Sequence, residues 1–141
     1  DERHYGALLA GKPTRVARIP NSLPDLDGGT ADQSAKVVVA ARRKGGLNDL
    51  VKEIGAGNAM AVGCDVTKEE NVIALYDAAE KRFGLVDTVV NNAGVTHSDN
   101  ALTQSVDEFR RIMDLNVTAV WMVAREAARR LIKAGPDHAV R

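Results

Sequence analysis

The chain has 141 residues, of which 45% are hydrophobic and 27% are charged, a composition typical of one globular domain. Its 19 basic residues balance 19 acidic ones, which argues against nucleic acid or an anionic membrane surface as a partner. The lone cysteine, Cys64, excludes an intrachain disulfide, is expected to be a small buried residue, and shows no metal-ligand spacing with the three histidines. With neither a signal peptide nor an apolar run of about 18 residues, the expected compartment is the reducing cytoplasm.

Residues 1–34 are predicted to be an atypical, loop-like N-terminal segment. They hold three of the four prolines of the chain and the turn-like stretch Asp25–Thr30. Their longest apolar run is Ala7–Ala10, and they show no clear period.

From residue 35 onward the pattern alternates between strands and helices. Apolar runs at 36–41, 59–63 and 86–90 predict buried strands, and apolar residues at helical spacing over 47–54 predict a short helix. Thr67–Glu70 has the pattern of a capping box and predicts that a second helix starts at Thr67 and ends at Gly84. This alternation predicts the α/β class, with a doubly wound parallel sheet covered on both faces.

A third helix is predicted over about 28 residues, from the capping box Ser105–Glu108 to Gly135. Its apolar stripe comprises Phe109, Ile112, Met113, Val117, Val120, Val123, Ala127 and Leu131. Such a length in a small domain suggests that a second face packs on another subunit.

Two strand ends carry charged residues. Arg42 and Arg43 follow the strand at 36–41, where a dinucleotide fold meets the adenosine ribose, and arginine there accommodates a 2′-phosphate. The alternative is a solvated basic turn. Asp65 follows the strand at 59–63, where it could accept a hydrogen bond from an adenine amino group or stabilise the start of the next helix.

Polar residues also follow the third strand and interrupt the long helix. Asn91, Ala93 and Gly94 stand at the carboxyl end of the strand at 86–90, where open α/β sheets bind ligands. Asn91 could equally tie neighbouring strands together. Asn116 lies on the apolar stripe, where an amide without a hydrogen-bond partner costs about 1–3 kcal/mol. Asn116 is therefore either a core residue whose amide has a partner or a site residue.

Taken together, these segments resemble the short-chain dehydrogenase/reductase family. The motifs at 37–43, 64–67, 91–94 and 114–118 occur in the family's order, and the resemblance covers about residues 35–135, the middle of a typical member. It implies an incomplete Rossmann-like domain over 35–141 that transfers a hydride between a nicotinamide cofactor and an alcohol or carbonyl substrate. The resemblance assigns cofactor-binding roles to Arg42, Arg43, Asp65, Val66, Asn91, Ala93 and Gly94, with NADP(H) favoured over NAD(H).

The resemblance also makes Asn116 the catalytic asparagine, which in the family helps to hold a water of the proton relay. It further implies a homo-oligomer that forms through the long helix at 106–134.

Two departures from the family pattern stand out. The opening strand and its glycine-rich turn have no counterpart in residues 1–34, and the only substitutes for that central strand are Tyr5–Ala10 and Thr14–Ile19. The family's catalytic serine and its Tyr-x-x-x-Lys pair are also absent. Neither tyrosine has a lysine four residues later, since Leu9 stands there after Tyr5 and Glu80 after Tyr76. The alternatives to an active oxidoreductase are therefore an inactive fragment or a non-catalytic binding or oligomerisation module.

Overall fold

A computed structural model describes residues 6–10, 36–43, 45–96 and 100–135 of the chain. Within these ranges four strands alternate with helices: β1 (Gly6–Ala10), β2 (Lys36–Ala41), α1 (Gly45–Ile54), β3 (Ala59–Gly63), α2 (Glu69–Phe83), β4 (Val86–Val90), α3 (Val106–Met113) and α4 (Ala119–Ala134). A π-helical turn, Asp114–Thr118, joins α3 to α4. None of the described helices is both long and apolar enough to cross a membrane.

The four strands form one sheet in the order β3-β2-β1-β4. The strands β2 and β3 are parallel, whereas β1 runs antiparallel to both β2 and β4. Leu8, at the centre of β1, lies opposite Val38 on one side and Val89 on the other. The strands β2, β3 and β4 therefore point in the same direction, and β1 is the one described strand that opposes them.

The central position of the sheet is the main difference from the sequence prediction. The α/β class and the parallel direction of β2, β3 and β4 are confirmed, but the sheet is mixed rather than wholly parallel. The strand β1 comes from the segment predicted to be loop-like. It confirms that Tyr5–Ala10, apart from its first residue, substitutes for the family's central strand. The other candidate, Thr14–Ile19, lies outside the described residues. An antiparallel strand can pair with its neighbour without a helical crossover.

Helices cover both faces of the sheet. On one face α2 and α4 pack over the larger core, which consists of Val38, Ala40, Cys64, Val72, Leu75, Tyr76, Ala79, Val86, Val123 and Ala127. On the other face α1 packs over Val39 with Leu47 and Leu50. Successive residues of a strand point to opposite faces of the sheet, so β2 contributes side chains to both cores. Among the strands whose side chains the structure describes, β2 is the most deeply buried.

Two polar groups connect α2 to α4. The hydroxyl of Tyr76, which is fully buried, donates a hydrogen bond to the carbonyl oxygen of Val123 at 2.9 Å. Burial raises the pKa of this hydroxyl, so it stays protonated and remains a donor. Arg130, with only 16% of its side chain exposed, forms ion pairs with Asp77 on α2 at 2.8 Å and Glu80 at 3.0 Å. Tyr76 is therefore a core residue that links the two helices.

The two predicted capping boxes behave differently. The Ser105 hydroxyl accepts a hydrogen bond from the backbone N–H of Glu108 at 3.1 Å, as the sequence predicts. The prediction for Thr67 is wrong, because α2 begins at Glu69 with Lys68 at its N-cap and no side-chain cap. The Thr67 hydroxyl instead donates to the carboxylate of Asp65.

The predicted long helix is present over residues 106–134, and its backbone remains helical through the π turn. The N–H of Ala119 donates to the carbonyl oxygen of Asp114, five residues earlier, which defines the wider turn. The helix ends at Gly135, which adopts a φ of 95°. Within the apolar stripe, Val123 and Ala127 are buried, whereas Phe109, Met113 and Val117 are exposed, because neither α3 nor the π turn buries a residue against the rest of the described structure.

The position of β1 predicts that a proline there destabilises the whole fold. Leu8→Pro removes a backbone N–H from the middle of the sheet and leaves a neighbouring carbonyl unpaired, so we expect a loss of about 1–3 kcal/mol in the free energy of unfolding. Urea unfolding followed by circular dichroism measures the change. The matched control is Leu8→Val, which keeps the N–H; equal stabilities of the two variants would contradict the central placement of β1.

Candidate functional site

An open cleft lies at the carboxyl ends of β2 and β4, and its empty volume, including the part open to solvent, is about 360 Å³. Its walls come from the strand ends, from Val66, from α2, and from the π turn with α4. The lining residues are Ala40, Val66, Leu75, Val90, Asn91, Asn92, Ala93, Leu115, Ala119, Val120 and Val123. Most of them are apolar, and the amides of Asn91 and Asn92 are the polar exceptions. A mainly apolar cleft with few polar groups is typical of small-molecule sites.

The segment after β4 is held against the helix by Asn116. Its Oδ1 accepts a hydrogen bond from the backbone N–H of Val95 at 2.9 Å, and its Nδ2 donates to the carbonyl oxygen of Val95 at 2.8 Å. The side-chain amide thus satisfies both backbone groups of one residue across 21 positions of sequence. Val95 is buried, and the backbone groups of buried residues are normally paired, so these two hydrogen bonds meet a general requirement of folded chains.

Gly94 lies close to the side-chain amide of Asn116. A Cβ atom placed on Gly94 would come within 3.3 Å of the Asn116 Oδ1, closer than an ordinary contact. A glycine at position 94 therefore allows the close approach between the strand-end segment and the π turn.

The surroundings of Asn116 differ from the prediction. Its residue as a whole is exposed rather than buried in an apolar stripe, because the neighbouring stripe residues Met113 and Val117 are exposed too. The π turn places the amide toward Val95, and its polar atoms have the partners that the sequence analysis required. The role of Asn116 in chemistry stays a prediction.

The end of β3 carries Asp65 in a fixed setting. The carboxylate atom Oδ1 accepts hydrogen bonds from the Thr67 hydroxyl at 2.7 Å and from the Thr67 backbone N–H at 3.1 Å. Burial alone would raise the pKa of Asp65, but these two hydrogen bonds and the charges of Arg42 and Lys68 lower it below its usual value. Asp65 is therefore ionised at neutral pH, and its charge interacts with the guanidinium that follows β2.

Arg42 and Arg43 are exposed just beyond the carboxyl end of β2. The next strand end is linked to theirs, since the N–H of Cys64 donates to the carbonyl oxygen of Ala41 at 3.0 Å. Neither position carries a carboxylate. The exposure of both residues fits the alternative of a solvated basic turn. Arg42 also lies within electrostatic reach of Asp65.

The structure brings most of the predicted site residues to one end of the sheet. Val66, Asn91 and Ala93 line the cleft, and Gly94 and Asn116 form the contact next to it. Arg42 and Asp65 interact at the neighbouring strand ends. The binding roles of all these residues remain predictions.

The reversed direction of β1 changes the edge of the sheet beside the cleft. Gly6, at the amino end of β1, pairs with Ala40, whereas its carboxyl end, Ala10, pairs with Lys36 at the opposite edge. A phosphate-binding turn that follows the central strand would therefore emerge away from the cleft. Among the described residues, none takes the place of the family's glycine-rich turn.

Cys64 is only 4% exposed, and its Sγ donates to the carbonyl oxygen of Asn71 at 3.5 Å. Burial, assisted by the charge of Asp65, raises the pKa of the thiol to about 11. The interpretation of Cys64 as a small buried residue is confirmed. Within the part of the chain that the structure describes, no three metal-binding side chains cluster.

Sequence reasoning missed two contributors to the site. One is Val95, whose backbone is the partner of Asn116 and which carries no polar side chain that could have marked it. The other is Thr67, which the sequence assigned to the helix cap. The spacing of two residues between Asp65 and Thr67, typical of a local carboxylate–hydroxyl turn, was the available signal.

Comparison with known proteins points to one family. Residues 29–139 match the family described as short chain dehydrogenase. An uncharacterized oxidoreductase of Staphylococcus aureus is 30% identical over 109 residues, which cover 77% of this chain and 47% of that protein. The 3beta-hydroxysteroid dehydrogenase 1 of Eggerthella lenta is 44% identical over 84 residues, or 58% of this chain and 32% of the relative.

A solved structure is similar as well. It is the 3-ketoacyl-(acyl-carrier-protein) reductase of Brucella melitensis complexed with NADH, with 38% identity and a TM-score of 0.65 over 70% of this chain and 40% of that one. The chain thus spans less than half the length of each of these proteins.

The contact between Gly94 and Asn116 predicts a non-additive pair of substitutions. Asn116→Ala leaves the N–H and the carbonyl of Val95 unpaired and is expected to cost about 1–3 kcal/mol in the free energy of unfolding. Gly94→Ala is expected to destabilise the parent chain by crowding Oδ1, but to cost much less in the Asn116→Ala background, where that atom is gone.

A double-mutant cycle by urea unfolding measures this coupling. Ala101→Gly, at an exposed position outside the contact, serves as a control that should be additive with Asn116→Ala. Additivity of Gly94→Ala with Asn116→Ala would contradict the geometry described for the pair.

Proposed function

Because this chain belongs to the short chain dehydrogenase family, we propose that it forms the cofactor-binding part of an oxidoreductase whose substrate is a small alcohol or carbonyl compound. The nicotinamide cofactor, when bound, supplies or accepts the hydride. The residues of this chain bind and orient that cofactor. We place this activity in the cytoplasm, where a lone reduced cysteine such as Cys64 is ordinary.

The observation that carries the proposal is the cleft at the carboxyl ends of β2 and β4. Open α/β sheets bind their ligands outside this end of the strands. Val66, Ala93 and Ala40 offer an apolar surface on which a flat ring can lie, and Asn91 adds a polar group beside it.

The preference for NADP(H) is supported by the end of β2. An acidic residue at this point would accept hydrogen bonds from a ribose 2′-hydroxyl, whereas Arg42 and Arg43 stand there instead. Both side chains are exposed, so a phosphate can reach them. A guanidinium is suited to a phosphate because its planar array of N–H groups matches two phosphate oxygens at once.

The described residues fit the adenosine end of the cofactor better than its pyrophosphate. Arg42, Asp65 and Val66 are the residues that we propose hold a 2′-phosphate and an adenine. Among the residues that the structure describes, none forms a glycine-rich turn with a following helix beside the cleft. We therefore propose that affinity in this chain comes mainly from contacts with the adenosine phosphate and from the apolar floor of the cleft.

Asn116 is proposed as the catalytic asparagine of the site. Its side-chain amide is engaged by Val95 at both ends, and it thereby fixes the segment at 91–95 that contributes Asn91 and Ala93 to the cleft. Loss of the amide is expected to disturb the cofactor surface as well as any water held near the π turn.

A second candidate function is a non-catalytic oligomerisation module. Five apolar residues recur every three or four positions along the long helix and are exposed: Val106, Phe109, Met113, Val117 and Trp121. We call this set the exposed apolar stripe. A contiguous exposed apolar surface of this kind is typical of protein–protein contacts, so we propose that a homo-oligomer forms through the helix at 106–134.

The NADP(H) preference is tested by Arg42→Ala. Loss of a charge-assisted hydrogen bond to phosphate is expected to weaken NADP(H) binding about tenfold or more and to leave NAD(H) binding within about twofold. Isothermal titration calorimetry with both cofactors measures the two affinities. Arg129→Ala, which removes an exposed arginine on α4, is the control and should change neither. An equal loss for both cofactors would contradict a 2′-phosphate role for Arg42.

The exposed apolar stripe is tested by Val117→Asp, which places a charge within it. We expect the parent chain to sediment as a dimer or larger assembly and the variant to sediment as a monomer, because an unpaired carboxylate is costly to bury in an apolar contact. Analytical ultracentrifugation measures the mass. The control is Ile132→Asp, at a residue that is 77% exposed on the same helix and outside the stripe. A monomeric parent chain, or equal effects of both variants, would contradict the proposed interface.

A further inference from the structure

The start of α2 leaves a stabilising interaction unused. Thr67 precedes the N-cap residue Lys68, and its hydroxyl belongs to a residue type that caps helices well. The structure gives α2 no side-chain cap, and Lys68 contributes only its extended backbone, with φ −113° and ψ 117°. A side-chain cap contributes about 1 kcal/mol, so the absence of one at this helix calls for a competing use of the hydroxyl.

That competing use is the carboxylate of Asp65. The Thr67 hydroxyl donates to Oδ1 at 2.7 Å, and the Thr67 N–H donates to the same atom at 3.1 Å. No hydrogen bond from another described residue reaches Oδ2. One carboxylate oxygen is therefore saturated from within the turn, and the other is left as an acceptor.

The backbone on both sides of Asp65 is fixed as well. The N–H of Cys64 is bonded to Ala41 at the end of β2, and the N–H of Lys68 donates to the carbonyl oxygen of Asp65 at 3.0 Å. With its backbone held at two points and its Oδ1 held at two more, the Asp65 side chain has little freedom to turn. The next residue, Val66, lines the cleft.

The charges around the turn act in the same direction. Arg42 and Lys68 attract the carboxylate, and Cys64, the other titratable neighbour, stays neutral because its pKa lies at about 11. The pKa of Asp65 is lowered despite its partial burial, with the two Thr67 hydrogen bonds ahead of the two cations among the opposing causes.

We propose that Thr67 is a positioning residue that holds the Asp65 carboxylate at the end of β3 so that Oδ2 can accept a hydrogen bond from the amino group of an adenine. This inference rests on the proposed function, since it concerns the adenosine end of the same cleft. It assigns to Thr67 an orienting role that neither its position before a helix nor its type alone would indicate. The hydroxyl is diverted from the helix cap to the carboxylate that faces the ligand.

The test compares Thr67→Val, which removes the hydroxyl, with Thr67→Ser, which keeps it. Two quantities are measured on the full chain: the affinity for NADP+ by calorimetry and the pKa of Asp65 from the carbon-13 shift of its carboxyl group. We expect Thr67→Val to weaken NADP+ binding about tenfold, the loss of one hydrogen bond to a charged group, and to raise the pKa of Asp65. Thr67→Ser is expected to restore both values to those of the parent chain.

Ser105→Ala is the matched control, because it removes the true side-chain cap at the start of α3. It should lower stability without changing the NADP+ affinity or the Asp65 titration. Thr67→Ala removes the same hydroxyl with less bulk and decides the question if valine does not allow folding.

The outcomes separate this inference from the proposed function. A parent chain that binds NADP+ but whose Thr67→Val variant binds equally well, with only a loss of stability, overturns the inference and leaves the proposed function intact. A parent chain that binds neither NADP+ nor NAD+ overturns the proposed function together with the adenine contact. A pKa of Asp65 that does not respond to Thr67→Val overturns the positioning role itself.

Discussion

The arrangement of this molecule depends on the backbone pairing of one short strand. The strands β2 and β4 do not pair with each other, and each is hydrogen-bonded to β1, which lies between them. The ends of β2 and β4 form the floor of the cleft, so the distance between them is set by β1. An antiparallel strand satisfies the backbone groups of both neighbours as a parallel one would, which is the requirement that a buried sheet position imposes. What changes is the end of β1 that faces the cleft, which is its amino end rather than its carboxyl end.

The site is then completed by polar contacts between backbone and side chains. Asn116, in the π turn, holds the segment after β4, and Thr67 holds the carboxylate at the end of β3. In both cases a polar side chain in a region of helical sequence serves a strand end rather than its own helix. These contacts support the proposal that the cleft binds the adenosine end of NADP(H). The exposed apolar stripe on the long helix is independent of the cleft and supports the proposed subunit contact.

Much of the fold follows from local patterns in the sequence. The apolar runs give β2, β3 and β4, and the helical spacing with glycine ends gives α1, α2 and the long helix, because these signals arise from residues that are close in sequence. The strand β1 was only one of two weak candidates, since the pairing that stabilises it is with residues about 30 and about 80 positions away. The strand-end location of Arg42, Asp65, Asn91 and Ala93 was predictable once the strands were known. The partner of Asn116 could not be predicted, because a backbone group that pairs with a side chain leaves no mark on the sequence. The exposure of Phe109 and Val117 could not be predicted either, because a periodic apolar face has the same sequence pattern whether or not another surface covers it.

The most direct test of the account is to map where a cofactor binds on the intact chain. Titration of the nitrogen-15-labelled protein with NADPH, followed by two-dimensional amide spectra, reports each backbone N–H separately. The account predicts that shift changes concentrate on Val66, on Asn91 to Gly94 and on Arg42, with α1 residues such as Lys52 and Glu53 unaffected. Saturating NADPH that leaves the spectrum unchanged, or changes that cluster on α1, would contradict the claim that this cleft binds a dinucleotide.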